Sequence, residues 1–415
     1  MWISALLPLI IVGEGAWLLV RLRAFFILHP FRTLARAFRG EGTGRALAAL
    51  MLALAGTVGV GNIVGVAVAV EIGGAGSLFW LVLSSVFSSV IKYSEVRVCA
   101  SSGSRSGMIG VLEGSFGKQG RTLGAFYAAL ALLLSLTMGS ALQASAIKDS
   151  ASQLYGGMPP LLVAVIVSVT AALVLLGGES IKKAVAFTVP VASILYTGLC
   201  LFVIVPNFSR IPDLFAECLR EAFTPSGAVG GVAGALTSAA VSRGFAAGLL
   251  SNEAGAGTSS FSHTALPESE AARAGIFGII EVLFDTVFLC TLTGVTLLLG
   301  RAESPEGERG IGLLSGIFRS TVGESGSVIL LASVVCFAVS TVLCWYYYGR
   351  ICADRLFVRA PRMAKLFAPA FFASFLLGLT VSLRALIPLT DAVLLCLTVL
   401  TAAALVKNRS KLRLE

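Results

Sequence analysis

Residues 54–80 read LAGTVGVGNIVGVAVAVEIGGAGSLFW, an apolar run in which Gly56, Gly59, Gly61 and Gly65 surround Thr57 and Asn62. Glycine costs a helix interior about 1 kcal/mol per residue relative to alanine, so the middle of this run is predisposed to unwind. Inside a membrane, unwound backbone is tolerated only where it lines a cavity or holds a ligand. The amide end of a half-helix suits a carboxylate, and exposed carbonyls suit a cation. Close helix packing through Gly61 and Gly65, spaced as GxxxG, is the competing explanation. A dinucleotide-binding loop is excluded, because no strand-turn-helix unit surrounds these glycines.

Composition puts the run in a bilayer. Of 415 residues, 56% are hydrophobic and only 13% charged, whereas soluble domains carry roughly a quarter charged residues. Eleven apolar runs of near-membrane length fall at about 2–20, 46–70, 76–100, 121–146, 160–177, 184–205, 227–262, 272–299, 326–350, 365–383 and 385–406. They are expected as helices, since an open sheet cannot satisfy its backbone in lipid. Little length remains for a soluble domain, and the chain reads as one transmembrane domain, 1–415. The opening segment carries Glu14 and is followed by Arg21 and Arg23, the reverse of a secretory signal's charge order, and reads as a retained span.

The net charge of +9 does not indicate nucleic acid, because the basic residues are interleaved with apolar spans instead of forming one patch. They read as topology signals. Alternating the loops between two faces places 23 Lys and Arg on one side and 7 on the other, with Arg243 inside a span. Under the positive-inside rule this puts the N-terminus outside and the C-terminus in the cytoplasm, as an odd span number requires. The 8 cysteines show no CxxC spacing and only 2 histidines accompany them, so neither a zinc site nor a disulfide framework is indicated, and no cofactor is expected.

The 227–262 run is too long and too rich in Gly, Ser and Ala for one straight helix, and it holds Arg243, Asn252 and Glu253. A second broken helix explains both facts. Asn62-Ile63-Val64-Gly65 is echoed by Asn252-Glu253-Ala254-Gly255, the pattern expected of an inverted repeat with paired discontinuous helices.

The first segment and GLLSNEAGAGTSSFSHTA (248–265) closely resemble the two signature segments of the alanine or glycine:cation symporter family. FDTVFLCTLTGVTLLL (284–299), CFAVSTVLCWYYYGR (336–350) and RLRAFFILHPFRTL (21–34) are similar to further family segments, in the same order along the chain. The resemblance implies an all-α LeuT-like fold: a leading helix (2–20), two five-helix repeats (46–205 and 227–406) and a cytoplasmic tail (407–415). It further implies sodium-coupled, or in some members proton-coupled, uptake of a small neutral amino acid, alanine or glycine foremost, across the cell membrane. It places unwound centres near 55–62 and 237–245.

The residue roles follow from that resemblance. Backbone amides from Gly59 to Asn62, Gly61 included, are expected to take the substrate carboxylate, with Thr57 and Asn62 offering side-chain polarity at the same depth. Carbonyls near Ser238, Ser242 and Gly244 and the side-chain oxygen of Gln143 are expected to take the amine. Sodium is expected among the carbonyls of Ala55, Val58 and Phe337 and the hydroxyls of Ser340 and Thr341, neutral oxygens that suit a hard monovalent ion in a dry site. Ser and Thr in a helix also simply bond back to the preceding turn. Charges within spans are functional candidates: Asp285 and Glu253 as gating or tethering groups or as partners of Arg243, and Glu71 as a group that reaches water or carries a proton. Trp345 to Tyr348 reads as an interfacial belt. Three departures from the family pattern bear on substrate choice: Val60, Ala247, and SGMIGVLEGSFG (106–117) where a GGPMYY segment is expected.

Other function classes fit less well. A membrane enzyme needs a nucleophile with a base, or paired carboxylates, at working distance, and neither histidine lies in the middle of a span. A cation channel needs no amino-acid pocket, and a non-transporting sensor is distinguished by the absence of net uptake.

Overall fold

Two helices break in the computed structural model, and the others are arranged around the breaks. The structure describes residues 2–38, 43–223, 239–264, 267–301 and 309–412, and Ser238 lies outside them. Every described element is helical: α1 (Trp2–Arg21), α2 (Thr43–Thr57), a π turn Gly61–Gly65 running into α3 (Val66–Gly73), α4 (Gly76–Ala100), α5 (Gly117–Tyr155), α6 (Pro160–Leu175), α7 (Gly178–Ile204), α8 (Ala239–Asn252), α9 (Glu268–Gly300), α10 (Glu324–Leu356), α11 (Phe367–Gly378) and α12 (Leu383–Lys407). Short helices at Pro30–Ala37, Met108–Ser115, Ile211–Ala222 and Ile311–Val322 connect them. Among the described residues, 6 continuous helices are long and apolar enough to cross a membrane, or 7 when the bent pair at 47–73 counts as one span.

The first break lies where the glycines predicted it. The two halves, Leu47–Thr57 and Gly61–Gly73, meet at 51°. Gly59 permits a close approach of α10, since a Cβ there would stand 2.7 Å from Thr341 Oγ1.

Of the stretch 237–245 expected to unwind, residues 239–245, with Ser242 and Gly244, are continuous helix within α8, and 237 and 238 lie outside the described residues; a break that the sequence reading did not place lies over Glu253–Gly257. Positive φ angles at Glu253 (54°), Gly255 (91°) and Gly257 (76°) cannot belong to a right-handed helix. Small residues upstream serve packing. Gly244 lies against the Ser77 carbonyl and the Trp80 side chain, and Gly248 against Ser84 Oγ, so a GxxxG seam lets α8 lie flush on α4. A glycine-rich span is compatible with either outcome, and the left-handed residues decide where it breaks.

Two further expectations are corrected. The Trp345–Tyr348 run is not an interfacial belt: Trp345 and Tyr348 are 0% and 2% exposed, Trp345 packs over Gly139, and its indole donates to the Gly56 carbonyl at 3.2 Å. The unpaired carbonyls beside the first break attract this donor inward. Lys92 and Arg97, taken as loop charges in the topology tally, are buried within α4, and the remaining charge bias keeps its sign.

The Gly244 contact gives a direct test. Gly244→Val drives a side chain into the α4 backbone and is expected to cost about 2 kcal/mol or more through overpacking. A lowered melting midpoint of the purified protein in detergent is the measurement; an unchanged midpoint contradicts the seam.

Candidate functional site

The first break is held from within. Asn62 accepts a hydrogen bond from the Gly59 amide on Oδ1 (3.0 Å) and donates through Nδ2 to Asp285 Oδ1 (2.6 Å) and to the Asp285 carbonyl (3.1 Å). The Gly59 amide, expected to meet a substrate carboxylate, is therefore already given to a side chain three residues on. Asp285 sits in a π-helical stretch of α9, Leu283–Cys290, of the kind that often marks functional positions. Its other oxygen, Oδ2, accepts from the Ser251 hydroxyl and from Thr286 Oγ1 at 3.0 Å. One fully buried carboxylate thus ties the first break to the C-terminal turn of α8.

Beside this tether, Thr341 Oγ1 and Gln143 Oε1 close on Gly59, 2.7 and 3.5 Å from where a Cβ would be. Gln143 spends its amide on the Met138 carbonyl at 3.0 Å, while Oε1 is buried with no partner. An unsatisfied buried acceptor is costly, and one beside a broken helix is suited to a ligand N–H. Thr57, by contrast, donates back to the Ala53 carbonyl at 3.3 Å.

Oxygens gather on the α10 side of the same break. Thr341 Oγ1 lies 2.9 Å from the Phe337 carbonyl and 3.4 Å from the Val58 carbonyl, and Ser340 Oγ is 2.8 Å from Phe337 O. Val58, Phe337, Ser340 and Thr341 are thereby brought together across 283 residues of chain, with Ala55 buried on α2. The set is neutral and hard, as a sodium ion prefers.

Ser242, Arg243 and Gly244 belong to a different region. Arg243 lines a small cavity with Gly65, Leu250, Ile387 and Asp391. Glu253 receives a hydrogen bond from the Thr258 hydroxyl at 2.6 Å, and Asn252 reaches Thr286 Oγ1 through Nδ2 at 2.9 Å. Neither acid takes Arg243 as the partner suggested by sequence. Glu71 pairs with Arg309 at 3.6 Å, on the wall of a cavity of about 290 Å³ shared with Val64, Asp149, Gln153 and Ile387. Sequence reasoning passed over Ser251, Lys92 and Glu95. The signal for the last two was two opposite charges, three residues apart, inside an apolar run.

The model of the sodium:alanine symporter family matches residues 1–410. A transporter of Haemophilus influenzae described as uncharacterized is 33% identical over 361 residues, covering 83% of this chain and 78% of that protein. The sodium/alanine symporter AgcS of Methanococcus maripaludis is 30% identical over 395 residues, covering 90% and 85%. Among solved structures, the nucleobase-cation-symport-1 family transporter Mhp1 is similar with a TM-score of 0.54 at 12% identity, over 83% of this chain and 74% of that one. A manganese transporter of Eremococcus coleocola gives 0.52 at 14% identity, over 90% and 80%. At such identities the structural likeness shows a shared fold alone, and it is a fold of transporters.

The tether is open to test. Asn62→Ala removes a donor from a buried carboxylate and uncaps Gly59, and is expected to cost about 2 kcal/mol. The melting midpoint in detergent reads this loss; equal midpoints for Asn62→Ala and the parent would contradict the tether.

Proposed function

The chain belongs to the sodium:alanine symporter family, and from that premise we propose that it is a secondary active symporter, coupling inward movement of a small neutral amino acid, alanine or glycine, to sodium. The observation that carries this reading is the unpartnered Gln143 Oε1 packed beside Gly59 and Thr341 Oγ1, with the cation oxygens gathered around the same threonine. Substrate and ion then share one wall, so that binding of either favours the geometry the other needs.

In this reading the amino acid binds at the first break, with Gln143 Oε1 accepting from its ammonium group and the amides near Gly61 facing its carboxylate. Val58 O, Phe337 O, Ser340 Oγ and Thr341 Oγ1, with Ala55 O, take the sodium ion. Asp285, joined to both Asn62 and Ser251, carries the state of the first break to α8.

The proposed topology is eleven spans, comprising the leading helix and two inverted five-helix repeats (46–205 and 227–406), with the N-terminus outside and the 407–415 tail in the cytoplasm. The multi-pass chain works in the cell membrane by alternating access. The driving force is adequate: one charge crossing about 100 mV contributes roughly 2.3 kcal/mol, and a tenfold sodium gradient adds about 1.4 kcal/mol. Together they support an accumulation of several hundredfold.

Uptake of radiolabelled alanine and glycine into proteoliposomes tests the proposal, under an inward sodium gradient, with potassium in place of sodium, and under a proton gradient. Accumulation is expected with sodium only. Ser340→Ala/Thr341→Ala is expected to raise the half-maximal sodium concentration about tenfold or more, and Gln143→Ala to act chiefly on the amino-acid concentration. Uptake driven equally well by protons alone refutes sodium coupling, and absence of uptake from folded protein under every gradient refutes the symporter reading for these substrates.

A further inference from the structure

The two breaks are satisfied by different means. At the first, the freed groups meet neutral partners, and Gln143 Oε1 has none. At the second, they meet full charges from one turn of α4. Lys92 Nζ donates to the carbonyl of Asn252, the last residue of α8, at 2.6 Å, and pairs with Glu281 Oε1 at 3.2 Å. Glu95 Oε1 accepts from the Gly257 amide at 3.1 Å, just before the helical turn Thr258–Phe261. An ammonium thus faces the negative end of the half-helix before the break, and a carboxylate faces the amides after it, the polarity that helix ends prefer.

The surroundings commit Lys92 to this position. Its side chain is 0% exposed, as is that of Glu281. Helix α9 crosses α4 through Gly275 and Gly278, where a Cβ would lie 2.8 Å from the Tyr93 ring and 3.0 Å from the Lys92 carbonyl. This close packing accompanies full burial of the ammonium. Beside it, Glu281 Oε2 is buried without a partner. A carbonyl with a buried carboxylate is a donor set for a monovalent cation, and here a side chain delivers the positive charge.

We propose that Lys92 is a tethered cation filling a cation site at the second break, formed by Asn252 O and Glu281, and that Lys92 and Glu95 together close this break to transported solutes. The second broken helix then moves as one body with α4, leaving the first break as the place where solute and ion enter. The idea rests on the symport reading only for that last clause.

The test is to remove the tether and ask whether a free ion replaces it. Melting midpoints of the full-length protein in detergent are measured against sodium chloride, with choline chloride holding ionic strength constant. Lys92→Ala is expected to lower the midpoint in choline and to recover it in sodium, the dependence on log sodium steepening about twofold over the parent as a second ion binds. Lys92→Ala/Glu281→Gln is expected to lose the extra sodium dependence. The same sodium dependence in Lys92→Ala as in the parent overturns the proposal.

Lys92→Met/Glu281→Leu serves if the single variant does not accumulate, since a buried charge pair can be replaced by apolar volume. With the carboxylate gone it is expected to keep the parental sodium dependence, and a steepened dependence in it overturns the assignment. Sodium-dependent melting in Lys92→Ala with none in the parent separates the two ideas: the tethered cation stands and sodium symport at the first break falls.

Discussion

A helix that breaks inside a bilayer must satisfy its freed carbonyls and amides without water, and this requirement organises the molecule. The breaks after Thr57 and after Asn252 each expose a negative and a positive backbone end. At Asn252 both ends are met by charges from α4. At Thr57 they are met by an asparagine, a threonine and an indole, neutral groups that a ligand can supplement.

Asp285 joins the two. It is a membrane-buried carboxylate held by Asn62, Ser251 and Thr286, with contacts in both broken helices and a position on α9, the helix that also carries Glu281. Lys92 and Asp285 therefore bond to α8 from two neighbouring helices, α4 and α9, and the first break is joined to α8 through Asn62, Asp285 and Ser251. Buried polar networks of this kind are expensive to leave half made, which favours a small number of discrete arrangements over continuous deformation.

The glycines divide by task. Gly59 admits the Thr341 hydroxyl, Gly139 admits Trp345, and Gly244 and Gly248 admit α4, while Gly255 and Gly257 supply left-handed backbone. These tasks look alike in the sequence. Each is set by what stands opposite, and in two cases by a φ angle only glycine adopts cheaply.

What the sequence by itself determined is local or compositional: membrane helices from hydropathy, the first break from the density of glycine around Thr57 and Asn62, and the pair of hydroxyls Ser340-Thr341 on α10 within a recognisable segment. Residues 239–245, expected to unwind, are helix instead, because glycine content alone does not distinguish a packing seam from an unwound turn. The aromatic run was read as a belt because amphipathic rings suit an interface as well as a core. Lys92 with Asn252 and Asn62 with Asp285 are 160 and 223 residues apart, and no local pattern pairs them. Only the tertiary structure, by bringing a cation to one freed carbonyl and leaving another to neutral partners, decided how each break is satisfied.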